Sequence, residues 1–264
     1  MFLHTGKIGI FDSGIGGFSI LTAILRQVPE VDVDYISDDV FAPYGIKSQN
    51  EIIFRSSTIT KILLDRDNSL IVLACNSATA AAIKTLREKF PDTEFVGVEP
   101  YINVLNHKKE FPDIKKAAVI TTELTGTSDK FIQLKKRIDP LNKIQHIKMM
   151  NLAAIVEEIL NLGYGEQQKK DLSEELAPLK TLKLSHLILG CTHYPLIRVL
   201  IEKKLDLITV SPGPFVAKRV QNLLSLRGGK PATAFSFLAT SSNNWETRSL
   251  VNLNRLLKFY DREQ

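Results

Sequence analysis

The sequence predicts an α/β protein made of two doubly wound α/β domains with parallel sheets. Three observations support this prediction. Apolar runs of strand length alternate with helical segments along the whole chain of 264 residues, as they do in βα units. Glu99-Pro100 interrupts the series, and proline disfavours helix in the residue before it. The chain has two cysteines, Cys75 and Cys191, and each follows a predicted strand at the start of a predicted helix.

The first series of elements begins with a short strand and a glycine-rich turn. Lys7-Ile-Gly-Ile-Phe11 has the pattern of a buried strand, and Asp12-Ser-Gly-Ile-Gly-Gly17 follows as a tight turn into a helix. Further apolar runs predict strands at 31–37, 69–74 and 93–98. The intervening segments predict helices at 18–27, 50–64 and 76–89.

A second series follows the Glu99-Pro100 interruption. It predicts strands at 116–121, 144–148 and 185–190 and helices at 125–138, 152–162, 166–178 and 195–203. The chain then predicts strand 206–210, helix 214–226, strand 234–239 and helix 245–260. Because these last elements must pack on an existing sheet, we assign 1–98 with 207–264 to the first domain and 99–206 to the second.

The surroundings of the two cysteines suggest a divergent internal repeat. Each thiol follows an apolar strand, Ser69-Leu-Ile-Val-Leu73 in one half and Ser185-His-Leu-Ile-Leu189 in the other. Ligands of open α/β sheets bind at the carboxyl ends of strands. We therefore expect two domains related by pseudo-two-fold symmetry, with an active site in the inter-domain cleft to which each domain brings one thiol.

Composition and charge indicate which cellular compartment and which classes of partner to expect. The residues are 44% hydrophobic and 24% charged, the formal net charge is +5, and the pI is near 9.1. Lysine and arginine are dispersed, and their densest cluster lacks interleaved aromatics, so we expect no specific nucleic-acid site. No apolar run approaches the roughly 18 residues that a membrane span needs, and the first residues lack the pattern of a signal peptide.

We therefore expect a cytoplasmic protein with no membrane partner and with both cysteines as free thiols. A homodimer is possible, but no basic helix or apolar stripe in the sequence identifies an interface.

Two loops at strand ends have both structural and functional readings. Asp12 stands at a strand tip, where it could cap a helix, form a turn or serve a site. The turn at 12–17 could bind an anion, yet it lacks the dinucleotide fingerprint and a phosphate-loop lysine. Ala42-Pro-Tyr-Gly45 is typical of a rigid loop, and a ligand clamp is the alternative.

Polar residues follow both thiols directly, in Cys75-Asn-Ser77 and Cys191-Thr-His193. Buried structural cysteines are common, but these neighbours favour a functional role. Only a few per cent of an ordinary thiol is ionised at neutral pH, so a thiol that acts as a base needs a neighbour to accept its proton. Asp12 and His193 are the candidates. Thr125 and Ser128 could add hydroxyl donors, and helix capping is the alternative reading.

Two other chemistries are less well supported. Two cysteines, a histidine and an aspartate could form a zinc shell, but no C-x-x-C or H-x-x-x-H pairing is present. A Cys–His hydrolase would leave the second cysteine unexplained.

These residues resemble the glutamate racemase family over nearly the whole chain. The resemblance rests on Asp12-Ser13-Gly-Ile-Gly-Gly, on Asp38 with Pro43-Tyr44-Gly45, on Cys75-Asn76 and on Leu189-Gly-Cys-Thr-His-Tyr-Pro-Leu-Ile197. It implies cofactor-independent racemisation of L- and D-glutamate, without pyridoxal phosphate or metal. It also implies supply of D-glutamate for peptidoglycan, and thus for cell wall biogenesis and cell shape.

The resemblance further implies roles for individual residues. Cys75 and Cys191 would be acid/base residues on opposite faces of the substrate, assisted by Asp12 and His193, with Glu157 a catalytic candidate that supports His193. Cys75 would deprotonate D-glutamate, and Cys191 would deprotonate L-glutamate. The residues that would bind the substrate are Asp12, Ser13, Pro43, Tyr44, Gly45, Asn76, Ser77, Thr125, Thr192 and His193.

The chain departs from the family pattern at several places. Ser77 stands where threonine is usual, Met149-Met150 replaces a Cys-Pro pair, and Val210-Ser-Pro-Gly-Pro replaces Asp-Ser-Gly. These changes spare the thiols but leave the substrate open. The alternatives are a racemase of aspartate or of another amino acid, and a non-catalytic ligand-binding homologue.

Overall fold

The computed structural model describes residues 6–106, 114–224, 230–251, 253 and 258–260. The chain divides into two compact units, one from the described parts of Met1–Val98 and Gly213–Leu256, the other from those of Glu99–Pro212 and Leu257–Gln264. No helix within the described ranges combines the length and apolarity that a membrane span requires.

The first unit is a six-stranded sheet flanked by helices. Its strands are β1 (Lys7–Asp12), β2 (Asp32–Ser37), β3 (Leu70–Leu73), β4 (Glu94–Gly97), β9 (Ala234–Ala239) and β10 (Asn244–Ser249). Its α-helices are α1 (Phe18–Gln27), α2 (Gln49–Leu64), α3 (Asn76–Lys89) and α9 (Gly213–Leu223). The strand order is β10-β9-β2-β1-β3-β4, and every pair is parallel except β9–β10.

Helices cover both faces of this sheet. The central strands β1 and β3 are buried along almost their whole length, as expected for strands covered on both sides. Helix α1 packs against α9, and α2 packs against α3. Right-handed crossovers put these two pairs on opposite faces, because the chain reverses its direction of travel across the sheet between β2 and β3.

The second unit has a four-stranded parallel sheet. Its strands are β5 (Ala117–Thr121), β6 (Gln145–Lys148), β7 (His186–Gly190) and β8 (Ile208–Val210), in the order β6-β5-β7-β8. Its α-helices are α4 (Glu123–Thr127), α5 (Asp129–Ile138), α6 (Leu152–Leu162), α7 (Glu166–Lys180) and α8 (Arg198–Leu205). Apolar side chains of β5, β7 and β8 form its core with Phe131 and Ile144.

The structure differs from the sequence prediction at the return to the first unit. We expected this return between 206 and 207, but it lies between Pro212 and Gly213. The reason is that β8 pairs with β7 through Ile188 and Val210, so the strand belongs to the second sheet.

The predicted helix 245–260 is wrong at its start. Asn244–Ser249 is a strand that pairs antiparallel with β9, so the first sheet is not purely parallel. Its side chains pack on distant parts of the same unit: the Arg66 guanidinium carbon lies 3.9 Å from the Trp245 ring centroid, and that of Arg248 lies 3.4 Å from the centroid of Phe237. Position 252 and positions 254–257 of the predicted helix lie outside the described residues.

Two predicted helices in the second unit are also interrupted. The segment 125–138 forms α4 and α5, because Thr122 caps the first helix and Ser128 caps the second. The predicted helix 195–203 is a 3-10 turn at Tyr194–Ile197 followed by α8. Cys191 therefore does not cap an α-helix, in contrast to the prediction.

Candidate active site

In the first unit, the glycine-rich turn after β1 is tightly packed around Asp12. Asp12 is fully buried, and its Oδ2 accepts a hydrogen bond from the Gly17 amide at 2.6 Å. The Tyr35 hydroxyl donates to the Gly14 carbonyl at 3.1 Å. A Cβ at Gly17 would lie 2.4 Å from Tyr35 Oη and 2.8 Å from Asp12 Cβ. Glycine is required because the backbone passes directly over these two side chains.

Cys75 is the N-cap of α3, as the sequence predicts. Its Sγ accepts the Ala78 amide hydrogen at 3.5 Å and lies 3.9 Å from Ser13 Oγ. Cys75 and Ser13 are both buried. Helix N-termini stabilise the thiolate form of cysteine, because the free amides and the helix dipole favour negative charge. The turn after β1 and the start of α3 thus come together around one sulfur.

Two buried tyrosines lie within the electrostatic influence of this sulfur. Burial raises the pKa of Tyr35, and the charges of Asp12 and Cys75 raise it further. Burial also raises the pKa of Tyr44, as do Asp38 and Cys75. Both hydroxyls consequently stay protonated and act as hydrogen-bond donors.

The predicted substrate residues after Cys75 lie at the start of α3. Asn76 and Ser77 are almost wholly buried. Asn76 Nδ2 donates to the Val98 carbonyl at 3.3 Å, and its Oδ1 is buried without a hydrogen-bond partner among the described residues. Buried amide oxygens are normally paired, so this atom is available to accept a hydrogen bond from a ligand.

The loop after β2 carries Pro43, Tyr44 and Gly45. A cis peptide joins Ala42 to Pro43, and a one-turn 3-10 helix spans Tyr44–Ile46. Pro43 is exposed and Gly45 half-buried, whereas Tyr44 is 1% exposed and donates its hydroxyl to Asp38 Oδ2 at 2.6 Å. The Tyr44 hydroxyl is therefore engaged within the protein, so Tyr44 acts as the buried anchor of this loop.

In the second unit, a chain of hydrogen-bonding groups connects Cys191, His193 and Glu157. Cys191 Sγ lies 3.7 Å from His193 Nδ1, and His193 Nε2 lies 2.9 Å from Glu157 Oε1. The thiol and imidazole are buried, while the Glu157 side chain on α6 is 40% exposed. The hydrogen bond from His193 lowers the pKa of Glu157. With the imidazole donating Nε2–H to the carboxylate, Nδ1 is the ring nitrogen that lies beside the thiol and can accept its proton.

Hydroxyl groups line the neighbouring strand ends of the same unit. Thr122 and Thr125 lie 3.1 Å apart at their Oγ1 atoms, and Thr125 and Thr192 are almost completely buried. Thr121 Oγ1 donates to the Thr122 carbonyl at 2.9 Å and lies 2.9 Å from His146 Nε2. Since the threonine hydroxyl has one proton, His146 donates at Nε2.

The two thiols occupy equivalent topological positions in their units. Cys75 follows β3, whose neighbour β1 ends at Asp12, and Cys191 follows β7, whose neighbour β5 ends at Thr121. The strands β2-β1-β3-β4 of the first unit and β6-β5-β7-β8 of the second have the same order. In each unit the chain reverses its direction across the sheet after the second strand, so the switch point lies between the first strand and the third. Such a switch point is where open α/β sheets bind ligands.

Several residues of these clusters escape the sequence prediction. Tyr35 hydrogen-bonds to Gly14, Arg55 and Thr240 hydrogen-bond to Asp38, and His146 hydrogen-bonds to Thr121. These partners lie close in sequence to predicted site residues or in contact with them, but each of the four has the local pattern of an ordinary strand, helix or loop residue. Among the described residues, no group of three histidine, cysteine or acidic side chains could hold a metal ion.

Comparison with known proteins identifies relatives along most of the chain, although no protein-family model matches it. A glutamate racemase of Aliarcobacter butzleri is 35% identical over 235 residues, which cover 85% of this chain and 86% of the relative. One of Campylobacter curvus is 34% identical, covering 96% and 99%.

Solved structures agree with these relatives. Escherichia coli glutamate racemase in complex with L-glutamate and the activator UDP-MurNAc-Ala is 28% identical, with a TM-score of 0.75 over 89% of this chain and 88% of that one. The Bacillus anthracis isoform RacE1 is 29% identical, with a TM-score of 0.72 over 90% of each chain. The Aliarcobacter butzleri and Campylobacter curvus enzymes are each more than 30% identical to this chain over most of both sequences. This chain therefore belongs to the glutamate racemase family.

Proposed function

We propose that this protein interconverts L- and D-glutamate by a two-base mechanism in which Cys75 and Cys191 exchange protons with the α-carbon. The observation that supports this best is the equivalent placement of the two thiols, each at the chain reversal of its own sheet. Glutamate is the proposed substrate because the relatives are glutamate racemases, and one solved relative is in complex with D-glutamate.

The reaction requires one base and one acid on opposite faces of the α-carbon. A thiolate takes the α-hydrogen as a proton, the electron pair stays on the carbon, and the other thiol returns a proton from the opposite face. The first sulfur ends as a thiol and the second as a thiolate, so the atoms and charges balance. Following the family resemblance, Cys75 deprotonates D-glutamate and Cys191 deprotonates L-glutamate.

The two thiols are assisted by different groups. Asp12 assists Cys75, whose sulfur also accepts the Ala78 amide hydrogen. His193 assists Cys191, and Glu157 stabilises the imidazolium that forms when His193 holds the thiol proton. The carbanion is stabilised by hydrogen bonds to the α-carboxylate in a site from which water is excluded.

Polar groups near the thiols hold the substrate's amino and carboxylate groups. These are Asp12, Ser13, Asn76, Ser77, Thr125, Thr192 and His193, together with the loop of Pro43, Tyr44 and Gly45, whose backbone makes the contact because the Tyr44 hydroxyl is hydrogen-bonded to Asp38. Such contacts supply the electrostatic stabilisation that a cofactor would otherwise provide, so the reaction needs neither pyridoxal phosphate nor metal. In the cell, the product D-glutamate serves peptidoglycan synthesis in the cytoplasm.

Replacement of each thiol tests the mechanism. We expect Cys75→Ala and Cys191→Ala each to lower racemisation of glutamate by at least the roughly 10²–10⁴-fold typical of a lost general acid or base. Rates are measured by circular dichroism from both enantiomers, with aspartate enantiomers as competing substrates. Unchanged thermal unfolding of both variants serves as the folding control. Full turnover by either variant contradicts the two-base mechanism.

Solvent labelling provides a second readout. With one enantiomer in deuterated water, the product should carry deuterium at the α-carbon, because its hydrogen comes from the second thiol, which exchanges with solvent. Product that retains the original α-hydrogen points instead to a single base.

A further inference from the structure

The buried carboxylate of Asp38 collects hydrogen-bond donors from three separate parts of the first unit. Arg55 on α2 donates through Nε to Oδ2 at 3.0 Å and through Nη2 to Oδ1. Tyr44 donates to Oδ2, and the Thr240 hydroxyl, just after β9, lies 3.0 Å from both Asp38 Oδ1 and Asp39 Oδ1, so its one proton serves either carboxylate. Asp38 is completely buried. A buried carboxylate is costly unless it is paired, so this one depends on the Arg55 guanidinium.

The arrangement fixes the loop that carries Tyr44. Asp38 follows β2 directly, and its backbone amide donates to the Asp12 carbonyl at 2.9 Å, so the carboxylate is anchored to the sheet. The buried Tyr44 hydroxyl has that carboxylate as its acceptor. The Arg55 guanidinium carbon also lies 5.5 Å from the Phe41 ring centroid, so it holds a second point of the same loop.

We propose that Arg55 is a positioning residue for racemisation, which acts through Asp38 and Tyr44 to hold the Pro43–Gly45 loop in its substrate-binding position. This inference rests on the proposed function, since it assigns substrate contact to that loop. A displacement of about 1 Å in a positioning element can cost on the order of 10²-fold in rate. The two-point geometry requires arginine, because lysine carries the charge but not the planar pair of donors.

The first unit contains a matched control. Arg66, just beyond α2, donates to Asp34 of β2 through Nε and Nη2, both at 3.0 Å. The Arg55 and Arg66 side chains are 24% and 33% exposed, and both aspartates are buried. Both are two-point arginine–aspartate pairs, but Asp34 lies within β2, away from the Tyr44 loop, and it is also paired with Lys7.

The test compares Arg55→Lys with Arg66→Lys in the full-length protein. We expect Arg55→Lys to lower kcat/KM for glutamate by about 10- to 100-fold, mainly through a higher KM, because the substrate loop loses its fixed position. We expect Arg66→Lys to leave kcat/KM within a factor of about two, because Asp34 stays paired with Lys7 and lies away from the Tyr44 loop. Because the equilibrium constant of racemisation is one, kcat/KM must fall equally for both enantiomers, which checks the assay.

A double-mutant cycle tests the route through Tyr44. If Arg55 acts through this residue, Arg55→Lys combined with Tyr44→Phe should lose less activity than the product of the two single losses. Arg66→Lys combined with Tyr44→Phe should be multiplicative. Thr240→Val, which removes another donor to Asp38, provides a second variant if Arg55→Lys does not fold, and it should raise KM in the same direction.

The outcomes separate the two proposals. An active wild-type chain with an equally active Arg55→Lys, or with multiplicative losses in the Arg55–Tyr44 cycle, overturns the positioning role alone. Unchanged KM in Thr240→Val has the same meaning if Arg55→Lys does not fold. A folded wild-type chain that does not racemise glutamate overturns the proposed function, and the positioning role with it.

Discussion

At the scale of single residues, the two thiols lie in chemically different surroundings. Cys75 caps α3 and its sulfur accepts a backbone amide hydrogen, whereas Cys191 lies in a turn beside an imidazole that contacts a carboxylate. Two thiols with different partners need not respond alike to pH or substitution. Substitution of Glu157 alters the surroundings of Cys191 alone, and it leaves both thiols in place.

We expect Glu157→Gln to lower kcat/KM by less than the roughly 10²–10⁴-fold that loss of a general base causes, because the amide still accepts from His193 but no longer balances an imidazolium charge. The measurement is the pH dependence of kcat/KM, in which one limb should shift. Glu158→Gln, at the exposed neighbouring position on α6, is the control and should match wild type. Identical profiles for the two variants contradict the role of Glu157.

The hydrogen bond between Glu157 and His193 also predicts a pH dependence of stability. The pKa of Glu157 is lowered in the folded protein from an ordinary value of 4.5, because its charged form accepts from His193. Its stabilising contribution is therefore complete above pH 4.5 and is lost as the pH falls through the folded pKa. Urea unfolding should accordingly show Glu157→Gln less stable than wild type at neutral pH, with the difference shrinking below pH 4.5.

At the scale of elements, the junction of β5 and α4 is closely packed around a glycine. A Cβ at Gly126 would lie 2.6 Å from both His146 Cε1 and Thr121 Oγ1. The His146 ring is itself held against Phe131, with 4.7 Å between ring centroids. The position of Thr125 therefore depends on the absence of a side chain at the next residue.

We expect Gly126→Ala to destabilise the protein by about 1–3 kcal/mol, as overpacking does, and to raise KM by displacing Thr125. Gly165→Ala is the comparison, since its Cβ would meet only the flexible Gln168 side chain, at 3.2 Å, and the change costs only the preference for glycine over alanine at the N-cap of α7. Urea unfolding and glutamate kinetics measure the two effects. Equal stability of the two variants contradicts the close packing.

Local sequence patterns predict the helices and strands better than they predict which distant residues those elements contact. The strands that precede both thiols and the turn at Asp12 follow from apolar runs and turn residues, which act over a few positions. Strand β10 does not follow from such a pattern, because its Trp245 and Arg248 side chains pack on Arg66 and Phe237, which lie elsewhere in the sequence. The acceptor of the Tyr44 hydroxyl and the role of Arg55 are likewise invisible locally, since they depend on where α2 and β9 pack.

At the scale of the whole molecule, the first unit is assembled from two segments that are far apart in the chain, the described parts of 1–98 and of 213–256. Strand β9 pairs with β2, α9 packs on α1, and Phe235 and Phe237 pack on Phe18 and Tyr35. The residues before Val98 therefore lack part of their core and one sheet neighbour until the later segment joins them.

We expect a chain that ends at Pro212 to aggregate or to lose cooperative unfolding, because the edge of β2 and the aromatic core of the first unit are exposed. Co-expression of residues 213–264 should restore a soluble complex, which gel filtration and circular dichroism would detect. A shortened chain that unfolds cooperatively at the wild-type temperature contradicts this dependence.

The hydrogen bond between Thr240 and Asp38 joins residues that are 202 positions apart. At a synthesis rate of about 5–20 residues per second, the Asp38 carboxylate waits roughly 10–40 s on the ribosome before that partner exists. The hydrogen bonds around Asp38 thus become complete only after residue 240 has been synthesised, so a chain that stops before it lacks one of these partners.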